Sequence, residues 1–129
     1  MSDISESSVI SALRRQMTIS VAKQVAAAGN LANIDTPGYK AKEVTFADTL
    51  KGKLAPAVTN STFPTKGGNA ANTSIEIKEA AGPERRDGNT VQLDKELLTM
   101  GKASGDFAAA QTALAAKFRL VRYAINESK

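Results

Sequence analysis

The sequence contains no cysteine, no histidine and no tryptophan. Disulfides, thiol nucleophiles, the commonest zinc ligands and the usual general base are excluded together. Without thiols, cysteine usage does not place the chain in a redox compartment. Nowhere is there an unbroken apolar run of the roughly 18 residues that a membrane-spanning helix needs, so no direct membrane span is expected. Aromatics make up 5% of the chain, and its 42% hydrophobic content is inflated by alanine, which buries little area per residue. A dense compact core is therefore poorly supplied. The stretch Met1 to Ser8 is polar and partly acidic, with neither a basic start nor an apolar segment, which predicts no cleavable signal peptide.

The charge balance is mildly basic, with 17 Lys and Arg against 13 Asp and Glu, a net charge of +4. Nucleic-acid binding is one reading of that balance. The basic residues are scattered, however, and the adjacent pairs Arg14-Arg15 and Arg85-Arg86 have no aromatic interleaving for base stacking. A solvated surface is the better account. Asp94, Glu96 and Asp106 are expected to be helix-surface charges. Asp87-Gly88-Asn89 starts like a calcium loop but lacks the later ligands. Gly67-Gly68 lacks the spacing of a phosphate loop. No catalytic residue, cofactor or metal is expected, which leaves an enzyme the least supported class.

What the chain does have lies near its two ends. Ile10, Leu13, Met17, Val21, Val25, Ala28 and Ala32 recur at close to helical period, predicting a helix from about Asp3 or Ser5 to Ala32. Leu93, Leu97, Met100, Ser104, Phe107, Gln111, Leu114, Phe118, Val121 and Ile125 recur in alternating steps of four and three. That is the 3.5-residue repeat which keeps one stripe of a helix facing a partner helix. A second helix is predicted from Gln92 or Asp94 to about Asn126. Stripes this long and narrow suit an assembly protein better than a self-contained globule.

Between the helices the signals are local. Pro37 forces the first helix to end before it, and Pro37-Gly38 is a strong type II turn pair. Asn30, Asn33 and Asp35 carry short side chains able to bond the nearby backbone. Tyr39 to Phe46 alternates weakly and reads as an extended arm, with a short helix expected near Phe46 to Leu50. Lys51 to Thr73 holds nothing periodic and is expected to be loop or disorder. Ser74 to Lys78 reads as a short strand through Ile75 and Ile77, and Pro83 to Asn89 as a charged turn closed by Asp87-Gly88.

The expected organisation is thus mainly α. An N-terminal helix (1–33) is followed by a turn and extended arm (34–50). An irregular central region (51–90), with room for a short β-hairpin, leads to a C-terminal helix (91–129).

Asn30-Leu31-Ala32-Asn33 followed by Thr36-Pro37-Gly38-Tyr39-Lys40 resembles the N-terminal signature of bacterial flagellar axial proteins, the rod, hook and hook-associated family. Two further stretches look like the proximal rod members of that family: Lys40-Ala41-Lys42-Glu43-Val44-Thr45-Phe46, and Asp87 to Glu96 before the last helix. The resemblance covers roughly residues 9–46 and 87–125. Lys23 and Gly29 depart from it, and the segment 51–81 has no counterpart.

The resemblance implies a structural subunit made in the cytoplasm and exported through the flagellar type III apparatus without a cleavable signal peptide. It would be polymerised into the basal-body rod that crosses the periplasm. The terminal helices (1–33 and 91–129) would pack as a coiled-coil-like inner domain. Implied partners are other copies, the proximal rod proteins FlgC and FlgF, the adaptor FliE and the export apparatus, with no nucleic acid. The expected assembly seam is Ile10, Leu13, Met17, Val21 and Val25 with Leu93, Leu97, Met100, Phe107, Leu114, Phe118, Val121 and Ile125. Another axial rod subunit is the alternative, and a small basic coiled-coil adaptor that binds nucleic acid is a rival from a different class.

Overall fold

The computed structural model describes residues 6–46 and 75–127. The expected loop at 51–73, the residues after Phe46 in the expected short helix, and the start of the first helix before Glu6 lie outside them. Four elements follow in chain order: α1 (Glu6–Ala32), β1 (Lys42–Phe46), β2 (Ile75–Glu79) and α2 (Leu93–Glu127). The fold is mainly helical, as the two apolar periodicities predict. With 27 and 35 residues, the helices are about 40 Å and 52 Å long at 1.5 Å per residue.

α1 ends and α2 begins at one corner. The C-terminal part of α1, through Lys23, Ala26 and Ala27, lies beside the N-terminal part of α2, through Thr99 and Ala103. The helices therefore run antiparallel. Their contact is built from small residues: Ser20 and Ala27 on α1, one heptad apart, and Ala103 and Ala110 on α2, again one heptad apart, are all buried. Side chains this small let two helix axes approach closely.

β1 and β2 form a two-stranded antiparallel sheet, with Lys42 opposite Glu79, Val44 opposite Ile77 and Phe46 opposite Ile75. The pairing joins the arm after the corner to the strand near Ile75. A two-stranded sheet is marginal alone. This one is held because Ala41 and Val44 are buried, β1 packs on α1, and Lys95 of α2 reaches Glu43 at 3.8 Å.

Candidate functional site

The motif residues converge on the corner. Thr36 to Tyr39 closes as a β-turn, with Tyr39 N–H donating to Thr36 O at 3.3 Å. Gly38 sits at φ +73°, the value a type II turn demands at its third residue and which only glycine adopts without strain. The two asparagines hold what comes before and after. Asn33 donates its amide to Gly29 O (2.8 Å) and accepts from Thr36 Oγ1 (3.2 Å). Asn30, which is 1% exposed, pairs with both backbone groups of Lys42, donating to its carbonyl and accepting from its N–H, each at 2.8 Å. Tyr39 Oη adds a hydrogen bond to Asn30 Oδ1 at 3.3 Å. Asn30 thus acts as a one-residue strand that caps the outer side of β1 and joins it to α1.

The charged turn before α2 locks onto the same corner. Asn89, fully buried, donates its amide to the carbonyls of Asn33, Ile34 and Thr36 at 2.9, 3.1 and 2.9 Å. Its Oδ1 accepts from Val91 N–H at 2.7 Å, an Asx turn. Gly38 N–H donates to Asp87 O, Thr90 N–H to Tyr39 O, and Ala41 N–H to Thr90 Oγ1. Outside this core, Lys40 bridges Glu84 at 2.8 Å and donates to Gly88 O, while Arg85 donates to Ile34 O. Chain segments remote in sequence are joined here almost wholly by side-chain amides and backbone. Sequence reasoning missed Asn89 as a partner of the motif and placed it only at the end of a charged turn. The carbonyls it serves, in the turn after α1, are brought within its reach only once the helices are paired.

The helix seam falls differently from a single buried stripe. On α1, Ile10, Leu13 and Met17 are half-buried, whereas Val21, Val25, Ala28 and Ala32 are exposed. Each four-residue step turns about 40° past a full helical turn, so the stripe winds out of the contact and Ser20 and Ala27 replace it. On α2, Met100, Phe107, Leu114 and Val121 flank the alanine contact half-buried. Leu93, Leu97, Phe118 and Ile125 face outward and are exposed, as are Ser104 and Gln111.

The result inverts the usual distribution. Val25 is 67% exposed, Leu98 72%, Leu120 62% and Ile125 65%, while the alanines between the helices are covered. Large apolar side chains are thus left in water at positions spread along both helices. Leu98, Leu120 and Tyr123 belong to this exposed set and fall outside the predicted seam.

One charge departs from expectation. Glu96 is buried rather than solvated, because it lies on the α2 face that carries Ala103 and Ala110. With Asp106 it lines a cleft of about 230 Å³ between α1, β1 and α2, facing Lys23, Lys42 and Lys102. Acids and bases both line that cleft, so it presents no field of one sign.

No family model matches the chain. Among curated proteins it is similar to the flagellar basal body rod protein FlgB of Bacillus subtilis (strain 168), at 28% identity over 110 residues. The match spans 83% of this chain and 84% of that protein. The likeness to a flagellar rod protein thus extends well beyond the corner motif, through most of both chains.

Proposed function

We propose that this chain is a structural, non-catalytic subunit of the proximal rod of the bacterial flagellar basal body, in the position FlgB holds. The observation that carries the reading is the inverted apolar distribution. Alanines and a serine occupy the buried centre of the helix contact, and Val21, Val25, Leu93, Leu97, Leu98, Phe118, Leu120 and Ile125 are left outward for other molecules. Each of these buried in a neighbour's surface would contribute about 1.5–3 kcal/mol before ordering costs. The likeness to a rod protein and the corner built from the motif residues support the same conclusion.

In this reading residues 1–33 and 91–129 form the axial core, and Asn30, Leu31, Ala32, Asn33, Thr36, Pro37, Gly38, Tyr39 and Lys40 set the angle between core and arm. The subunit leaves the cytoplasm by the flagellar type III route. It polymerises through its terminal helices against other copies and the neighbouring proximal rod proteins FlgC and FlgF, with FliE at the base.

Phe118→Asp tests the assembly face. Phe118 is 55% exposed, so the change should alter the monomer's stability by only about 0.5 kcal/mol. The expected phenotype is a subunit that folds and is secreted, with no rod formed. Normal motility with Phe118→Asp, or absence of the chain from isolated basal bodies, would overturn the proposal.

A further inference from the structure

Among the described residues, the outer edge of β2 is a second unfilled surface, separate from the helix faces. Lys42 gives both its N–H and its C=O to Asn30, so they point away from β2. Ala80 N–H donates to Ala41 O at 2.8 Å, which fixes the ladder bonds at the adjacent pair. Inward and outward residues alternate along an antiparallel ladder. Hence Ile75, Ile77 and Glu79 turn their N–H and C=O groups toward the free edge of β2. Among the described residues no hydrogen bond reaches that edge. Every residue of β2 is exposed, and Ile77 is 62% exposed. An open edge of this kind is a template for another strand. On β1 the corresponding position is already filled by Asn30.

We propose that this edge pairs with the same edge of a second copy of the chain, antiparallel and centred on Ile77. The sequence of the strand is self-complementary in that register. Ile77 opposes Ile77 of the second copy, while Glu76 opposes Lys78 and Lys78 opposes Glu76. Ile75 opposes Glu79. Opposite charges directly across a strand pair stabilise it, and like charges destabilise it. The outward backbone groups of Ile75, Ile77 and Glu79 meet their equivalents and complete the ladder. Ile77 also shares a face with Val44, its buried partner on β1, so the pairing continues an apolar row from one Val44 to the other.

This contact is two-fold and closes on itself, giving a dimer of the unassembled subunit rather than a filament. The strand is five residues long, well below the size of a stable interface, so the dimer is weak and concentration-dependent. Because it uses none of the helix faces, it stands or falls apart from the rod reading.

The absence of cysteine makes the register directly testable in the full chain. In Ile77→Cys the two sulfurs would come from an opposed hydrogen-bonded pair, with Cα atoms about 5.5 Å apart, inside the range that disulfides span. Under mild oxidation Ile77→Cys should form covalent dimers about tenfold faster than Lys78→Cys, whose opposite residue is Glu76. A mixture of Glu76→Cys and Lys78→Cys chains should cross-link to each other in preference to themselves. Equal rates for all three, as random collision gives, or no cross-linking at all, would refute the pairing.

Sedimentation provides an independent arm that does not depend on cysteine variants. Lys78→Glu should weaken dimerisation about tenfold, and Glu76→Lys with Lys78→Glu should restore it. A double variant as weak as the single one, or wild type remaining monomeric at high concentration, would equally exclude the proposal.

Discussion

Replacing Asn89 tests whether the corner is held by side-chain amides. Its amide donates to three carbonyls and its oxygen accepts from Val91 N–H. In Asn89→Ala each carbonyl keeps another donor: Thr36 N–H on Asn33 O, Arg85 on Ile34 O, and Tyr39 N–H on Thr36 O. The N–H of Val91, a residue 4% exposed, loses its acceptor. The two amide hydrogens, shared among the three carbonyls, make hydrogen bonds worth about 1 kcal/mol each; together with one orphaned buried donor at about 1–3 kcal/mol they sum to about 3–5 kcal/mol. Thermal unfolding followed by circular dichroism should show a midpoint about 10–20 °C below wild type.

Asn89→Asp separates this account from simple loss of packing. The aspartate keeps volume and can still accept from Val91, but it points a buried carboxylate at three carbonyl oxygens. It should therefore be no more stable than Asn89→Ala. If Asn89→Asp melts with wild type, the amide is not what holds the corner, and the reasoning fails.

Gly88 lies at φ +82°, and a Cβ there would sit 3.3 Å from both Gly38 Cα and Glu84 Oε1. Gly88→Ala should cost about 1–2 kcal/mol in urea unfolding, and an unchanged midpoint would contradict the close approach of the two turns. Ala103→Leu should destabilise by about 1–3 kcal/mol by overpacking the helix contact; a neutral result would mean the helices are not held at alanine distance. Gly101 has no atom within 4 Å of a would-be Cβ, so Gly101→Ala should stabilise α2 by about 1 kcal/mol, and a lower midpoint would refute that open surrounding.

Much of the secondary structure was legible because it rests on local periodicity and local backbone chemistry. Apolar spacing marked both helices to within a few residues, and Pro37 with Gly38 marked the turn between α1 and β1. The alternation through Ile75 and Ile77 marked β2, but its partner was not readable, since strand pairing is set by what the rest of the chain brings alongside. Asn30 and Asn33 were recognisable as polar groups at a helix end. That Asn30 would cap Lys42 depended on where β1 came to lie.

The amino-acid order alone determined that two long helices flank a tight turn, because helix period and proline geometry act over a few residues. Only the tertiary structure decided which face of each helix turns inward. Hydrophobicity favoured the Val21–Val25 and Leu97–Phe118 stripes for burial, yet Ser20, Ala27, Ala103 and Ala110 occupy the contact. The corner explains this: by joining Asn89 to Asn33, Ile34 and Thr36, it sets where α2 begins relative to the end of α1. Once that register is set, the small residues face each other while Val21, Val25, Leu97 and Phe118 remain outside, and no pattern read along one helix contains that rotation.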